Sequence, residues 1–250
     1  VCYFKKIRFM KYLIIGASSG LGRELAYEYA KNKHDLVLVS RDIRDLAAIK
    51  SDLEKKLKIN VEIIELDLTL ESEIEKNLFK DELFNEINGI LFPIGMMFDD
   101  DKIVLDQEKI NKIFKANFTS IAFIISKFLN FLSSKQGEIV GFGSISGYLG
   151  RKVNPYYSAS KRALESHFES LGFLSKKTNL KIQFYVLGYL DTNLSFGKKL
   201  RLPKASPKKL VATVYKNRNS KFKKIYFPSW WKLVAIILNL IDLQFVLAPY

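Results

Sequence analysis

The sequence predicts an α/β protein: a single domain built on a doubly wound parallel sheet of about seven strands, helices on both faces, with an apolar helix at the C-terminal end. Three observations predict it. Short β-branched runs alternate with helical stretches along most of the chain, the pattern of βαβ units. Parallel neighbours need crossovers, and right-handed crossovers put helices on both faces. The 250 residues, 48% of them hydrophobic, suit one large core, and no Ser/Gly-rich linker or internal repeat divides them.

The elements follow in order. Lys11–Ile15 is the first strand, ending in Gly16-Ala17-Ser18-Ser19-Gly20-Leu21-Gly22, and Leu21–Asn32 is an amphipathic helix. Asp35–Ser40 is the second strand, followed by a polar helical stretch to Leu57. Val61–Leu66 is the third strand, Glu71–Phe84 one helix, and Gly89–Pro93 the fourth strand. Gln107–Ser134 reads as one long helix and Glu138–Gly143 as the fifth strand. Asn154–Thr178 is a helix whose start is marked by Pro155. Lys181–Leu187, Ser206–Arg218 and Lys224–Phe227 complete the series as strand, helix and strand. The domain is expected over residues 10–228, with the apolar helix over 229–250. Val1–Phe9 lacks the long apolar core and cleavage site of a signal peptide and reads as an extension ahead of Met10.

Composition narrows the chemistry. Cys2 is the sole cysteine, which rules out an internal disulfide and a Cys-based zinc site, and His34 and His167 leave little for a metal centre. Net charge is +14, unevenly spread. Residues 1–191 carry 28 Lys/Arg against 25 Asp/Glu; residues 192–250 carry 12 against 1. No nucleic-acid recognition motif accompanies this basic region, so nucleic acid is not expected as a partner.

The run Gly16–Gly22 follows a strand and opens a helix. Glycines let the backbone turn tightly and approach a pyrophosphate, and the free N–H groups of the helix start meet its charge. Ser40-Arg41 ends the second strand, where an NAD-binding site usually places a carboxylate for the ribose 2′-hydroxyl. Ser40 cannot repel a 2′-phosphate and Arg41 can pair with one, which favours NADP(H) over NAD(H), with the adjacent Asp42 opposing slightly. Asp67 ends the third strand, where its carboxylate can accept the adenine amino group or cap the next helix.

Tyr157 and Lys161 stand at i and i+4 on one helix face. A tyrosine hydroxyl titrates near ~10, too high for easy proton exchange at neutral pH. A nearby ammonium is expected to lower that value and make a usable general acid/base. Ser144 ends the fifth strand, where open parallel sheets hold ligands.

On these residues the chain resembles the short-chain dehydrogenase/reductase family over roughly Lys11–Phe227, with its Rossmann-like fold. The glycine motif matches Gly16, Gly20 and Gly22; the Tyr-x-x-x-Lys pair matches Tyr157 and Lys161; the serine matches Ser144; the helix asparagine matches Asn117. The resemblance implies hydride transfer between a nicotinamide ring and a carbonyl carbon. Tyr157 would protonate the oxygen, Ser144 orient it, Lys161 bind the nicotinamide ribose, and Asn117 hold a relay water. It implies cofactor contacts at Gly16, Ser18, Ser19, Gly20, Leu21, Gly22, Ser40, Arg41, Asp67, Leu68, Gly95, Tyr157, Lys161, Gly188 and Thr192. Two departures stand out. The usual Asn-Asn-Ala-Gly is Phe92-Pro93-Ile94-Gly95, so side-chain bonds bracing the central strands are expected to be lost; the usual Pro-Gly is Leu187-Gly188.

Trp230–Leu247 is almost wholly apolar, broken by Lys232, Asn239, Asp242 and Gln244. It is marginal for a membrane span, and Asp242 opposes one. On a wheel, Lys232, Asn239 and Asp242 share one sector, leaving a broad apolar face beside clustered cations. That pattern favours peripheral binding to an anionic membrane surface, with a core or dimer helix as the alternative. The combined expectation is an NADPH-dependent reductase of a lipid-linked or amphipathic carbonyl compound, such as a keto-lipid or a polyprenyl-phosphate-linked 2-keto sugar. It would be cytoplasmic, peripheral on the cytoplasmic membrane face, and a homodimer or higher homo-oligomer. The alternatives are a soluble reductase of a small ketone or acyl thioester, and a nucleotide-binding scaffold without turnover.

Overall fold

The structure, a computed structural model, describes residues 10–192 and 202–240. Seven parallel strands form one sheet in the order β3-β2-β1-β4-β5-β6-β7. They are β1 (Lys11–Ile15), β2 (Asp35–Ser40), β3 (Val61–Glu65), β4 (Ile87–Phe92), β5 (Glu138–Ser144), β6 (Lys181–Leu187) and β7 (Phe222–Phe227). Strand alternation sorts the core into two layers. Leu13, Ile15, Val37 and Val39 face one side with Ile124, Phe128 and Phe168. Tyr12, Ile14, Leu36 and Leu38 face the other with Leu25, Leu53 and Leu210. This is the period-2 pattern of a sheet covered on both faces.

The helices among the described residues are α1 (Gly20–Lys31), α2 (Ile43–Leu57), α3 (Glu71–Leu78), α4 (Asp81–Glu86), α5 (Gln107–Phe114), α6 (Ser120–Ser134), α7 (Pro155–Lys177), α8 (Pro207–Asn217) and α9 (Trp231–Leu240). Two of them correct the sequence reading. The expected helix Glu71–Phe84 is broken: Phe79 (φ −100°, ψ 61°) and Lys80 (φ −108°, ψ 138°) leave helical geometry between α3 and α4. The Phe79 ring packs edge-on to Phe123 at 5.3 Å and stacks on Phe84 at 6.0 Å, so tertiary packing overrides the local period. The expected single helix Gln107–Ser134 contains a π-helical turn at Lys115–Thr119. By length and composition Gln107–Ser134 could cross a membrane, but Ile121, Ile124, Ile125, Phe128 and Leu132 are buried in the core.

The sheet order reverses between β1 and β4, because β1 pairs with β2 on one side and β4 on the other. At such a switch point the loops leaving adjacent strands part, and a crevice opens beyond their C-terminal ends. One face of α9 closes on that crevice, with Trp231 and Ala235 buried in the core. Its other face carries Leu233, Ile236, Ile237 and Leu240, all exposed. The tail beyond Leu240, with Asp242 and Gln244, and the segment 193–201, with Lys198, Lys199 and Arg201, lie outside the described residues, as does Cys2.

Candidate active site

The crevice is a cavity of about 830 Å³ whose lining runs from Arg41 and Asp67 at one end to Ser144, Tyr157 and Trp231 at the other. Of the expected catalytic and cofactor-binding residues, all but Gly22 and Asn117 line it. Those two act from behind the wall.

The glycine turn has a physical reason at two positions. Gly16 adopts φ +97°, which an L side chain disfavours. A Cβ on Gly22 would fall 1.9 Å from the Gly16 carbonyl oxygen, so only glycine lets α1 start this close to β1. Ser19, the N-cap of α1, makes no side-chain capping bond. The helix therefore presents its first-turn N–H groups to the cavity, as an anion site requires. Thr192 closes over this turn, its Cβ 3.6 Å from where a Gly20 Cβ would lie. This cradle fits the pyrophosphate of a dinucleotide.

At the β2 end, the Ser40 hydroxyl donates to Ser18 Oγ at 2.8 Å. The Arg41 side chain is 64% exposed, its Nη1 4.0 Å from Asp67 Oδ2. The Asp42 carboxylate is turned away: it caps α2, accepting from the N–H of Arg44 (3.0 Å) and Asp45 (3.1 Å). Asp67 Oδ1 accepts from Thr69 N–H at 2.8 Å.

At the other end, Ser144 Oγ accepts from the N–H of Ser146 (3.2 Å) and shares a hydrogen bond with its hydroxyl (2.9 Å). Lys161 is buried, and its Nζ donates to Ile94 O at 2.6 Å and Phe142 O at 3.0 Å. Burial pushes its ammonium down to about 7. Its Nζ stands 5.9 Å from the centroid of the Tyr157 ring. Burial also pushes the Tyr157 phenol up, while a hydrogen bond with Ser144 and the charge of Arg151 pull it down. This corrects the expectation for the pair: the groups favouring the phenolate are Ser144 and Arg151, because the Lys161 ammonium is itself desolvated and spent on two carbonyls.

Phe92, Pro93 and Ile94 carry no polar side chain, so the bracing bonds expected to be lost cannot be made from these positions. Lys161 ties the segment after β4 to β5 through Ile94 and Phe142. Asn117, on the π-helical turn, accepts from Met96 N–H at 2.7 Å and donates to Met96 O at 2.8 Å and Ser160 Oγ at 3.0 Å. Its amide thus clamps the loop after Gly95. A water could use only the second lone pair of Oδ1 or the backbone of that turn.

Sequence reasoning missed several contributors. Ser146, Arg151 and Trp231 line the cavity from loops and from α9. Asp101, fully buried, caps α7 from outside: its carboxylate accepts from the N–H of Tyr156 (3.3 Å) and Tyr157 (3.0 Å), while its carbonyl accepts from Asn154 N–H (2.8 Å). The sequence carried no signal for it: Asn154 before Pro155 reads as an ordinary cap, and only the fold shows it at φ +58° with no side-chain capping bond.

The family profile described as short chain dehydrogenase matches residues 11–200. Among curated proteins the chain is similar to hydroxysteroid 11-beta-dehydrogenase 1-like protein A of Xenopus laevis, 26% identical over 90% of this chain and 80% of that one. It is also similar to the very-long-chain 3-oxoacyl-CoA reductase of Vanderwaltozyma polyspora, 27% identical over 82% of this chain and 62% of that protein. Among solved structures, a short-chain dehydrogenase from Sphingobium yanoikuyae in complex with NADPH superposes with a TM-score of 0.80 at 22% identity, covering 97% of this chain and 98% of the other.

Proposed function

Because the chain belongs to the short-chain dehydrogenase family, and is on that ground an NAD(P)-dependent oxidoreductase, we propose that it reduces a carbonyl to a hydroxyl on an amphipathic substrate, with NADPH preferred. The supporting observation is the convergence of Tyr157, Ser144 and Lys161 at one end of a cavity whose other end is the glycine cradle. A nicotinamide dinucleotide supplies a hydride to the carbonyl carbon when bound. Tyr157 gives its hydroxyl proton to the carbonyl oxygen, and Ser144 holds that oxygen in place. Lys161 holds the nicotinamide ribose with the ammonium proton that Ile94 O and Phe142 O leave unused. Asn117 keeps the loop after Gly95 against the cofactor and leaves the π-turn backbone to hold a relay water. Gly16, Ser18, Ser19, Gly20, Leu21 and Gly22 hold the pyrophosphate; Ser40 and Arg41 hold the 2′-phosphate. Asp67 and Leu68 hold the adenine, Gly95 lets the loop after β4 approach the cofactor, and Gly188 and Thr192 hold the carboxamide.

An amphipathic substrate is supported by the apolar walls Leu149, Val153, Tyr189 and Leu238. The named activities of two relatives, on hydroxysteroids and on very-long-chain 3-oxoacyl-CoA, support the same class. We divide the chain into a catalytic domain, 10–228, and a C-terminal segment, 229–250, whose helix α9 packs on the domain with one face and meets an anionic membrane surface with the other. Exposed apolar groups on α6 and α7, such as Phe131 and Phe173, favour a homodimer. The test is NADPH oxidation against a panel of long-chain ketones. Tyr157→Phe should reduce turnover at least ~100-fold, since general acid catalysis contributes that much, while NADPH affinity stays within about twofold. Near wild-type turnover by Tyr157→Phe on a good substrate would overturn the assignment of the proton donor.

A further inference from the structure

Ser144 acts through the direction of one hydroxyl. Its backbone is fixed by the sheet, where it stands in register with Leu187 of β6. What remains is rotation of the side chain, and Ser146 sets it: its N–H and its hydroxyl both donate to Ser144 Oγ, at 3.2 and 2.9 Å. A hydroxyl oxygen has two lone pairs. With both occupied, the Ser144 O–H is left to donate, which is what a carbonyl oxygen or the Tyr157 phenolate requires. The Ser144 hydroxyl is therefore only as well placed as Ser146.

Ser146 lies in the 3-10 turn Ile145–Tyr148, four residues long. So short a turn has few bonds of its own to hold it. Tyr148, its last residue, is buried in the core with Leu164 and Phe168 of α7. Its hydroxyl donates to the Glu165 carboxylate of α7. That bond uses its one proton, so Tyr226 of β7 donates to it, at 2.7 Å. Burial and the Glu165 carboxylate push the Tyr148 phenol up, which keeps it a donor.

Glu165 is fully buried on the helix that carries the proton donor; Tyr157, Lys161 and Glu165 follow one another at i, i+4 and i+8. Lys224 of β7 lies 2.5 Å from its Oε1, and Arg162 lies 3.7 Å away. Its other oxygen is buried with no partner among the described residues. A carboxylate buried in this way costs stability; what it supplies is a rigid acceptor for Tyr148. The contacts close a loop. Glu165 on α7 holds Tyr148, Tyr148 ends the turn that contains Ser146, and Ser146 aims Ser144 back toward Tyr157 on α7.

We propose that Tyr148 is a positioning residue for the reaction: anchored by Glu165, it fixes the turn through which Ser146 aims the Ser144 hydroxyl. The inference rests on the carbonyl-reductase reading above and deepens it. It makes Ser144 and Tyr157 a unit whose spacing is set from one helix.

Tyr148→Phe keeps the ring in the core and removes the one hydroxyl. With 2-undecanone and NADPH it should lower kcat about tenfold, a part of the ~100-fold that a 1 Å misplacement costs. The KM for NADPH should stay within about twofold. Because Tyr148 acts through Ser144, the same change made in Ser144→Ala should lower kcat by less than about twofold further. A merely structural role predicts the same factor in both backgrounds, and that result overturns the proposal, as does an unchanged kcat in Tyr148→Phe. A second measurement needs no substrate. The Ser146 amide, which donates to Ser144 Oγ, should exchange its hydrogen about tenfold faster in Tyr148→Phe, relative to the amides of β5. Unchanged relative exchange at Ser146 also overturns the proposal. If wild-type protein reduces no ketone, the reductase reading fails, and the exchange at Ser146 still reports separately whether Tyr148 holds the turn.

Discussion

Arg41 shows how a single residue's exposure sets the size of an expected effect. Asp42, the carboxylate that would oppose a 2′-phosphate, is committed to the N-cap of α2. Arg41 and the Ser40 hydroxyl remain at the cavity rim, with Asp67 4.0 Å from the guanidinium. The Arg41 side chain is 64% exposed, so its contact with a phosphate is screened and worth about 1 kcal/mol rather than the value of a buried pair. Arg41→Ala should therefore weaken NADPH binding about fivefold and leave NADH binding unchanged, measured by fluorescence titration of both cofactors. Equal wild-type affinity for the two would remove the basis for the preference. At this scale the sequence was most legible where spacing carries chemistry: Tyr157 and Lys161 one turn apart, Ser144 at a strand end. It did not show that Ser146, Arg151 and Trp231 line the cavity, which they reach through folded loops and a distant helix. It misjudged how the Lys161 ammonium would act on Tyr157, because burial of both groups, a tertiary quantity, dominates their titration.

Among the elements, α7 carries the proton donor and has an unusual start. Pro155 fits the first turn, having no N–H to satisfy. The next two N–H groups, of Tyr156 and Tyr157, are taken by the Asp101 carboxylate from the loop after β4. Asp101 thereby fixes the turn on which the Tyr157 side chain stands, whereas Lys161 is held one turn further on by Ile94 and Phe142. Asp101→Ala should cost about 1–2 kcal/mol of stability, the worth of a strong N-cap. It should also lower kcat several-fold, with the KM for NADPH nearly unchanged. Asp101→Asn, which keeps an acceptor, should recover most of both. A kcat that follows only the folded fraction in thermal melts would reduce Asp101 to a purely structural cap. Five strands were legible to within one residue, because buried parallel strands are short apolar runs bounded by polar turns, whereas β4 and β7 each begin two residues before the expected start. The break at Phe79 and the π-turn at Lys115–Thr119 were not legible, since each depends on where side chains from other elements pack.

For the whole molecule, the open matter is what lies against the outer face of α9. Leu233, Ile236, Ile237 and Leu240 recur at i, i+3, i+4 and i+7, so they form one stripe, opposite the face that buries Trp231 and Ala235. The helix is thus apolar on two sides, with Lys232 and Asn239 between them. The region from 192 to 241 carries no acidic residue and twelve cations. Charge of one sign beside an apolar stripe is the combination that binds anionic lipid: each nearby lysine contributes about 1 kcal/mol, and each inserted leucine or isoleucine about 1.5–3 kcal/mol if fully buried. Because Trp231 and Ala235 belong to the core, deleting α9 would test folding rather than membrane binding. Replacing the outer stripe alone, as Leu233→Ser, Ile236→Ser, Ile237→Ser and Leu240→Ser, leaves the buried face intact. The wild-type 250-residue chain should float with vesicles containing phosphatidylserine, bind less at 0.5 M salt, and bind weakly to neutral phosphatidylcholine. The salt-resistant remainder should disappear in the four-serine variant, since apolar burial is not screened, while its thermal midpoint and NADPH affinity stay near wild type. If the wild-type chain does not float, and the variant instead changes from dimer to monomer in solution, the stripe is covered by a second copy and the membrane reading falls.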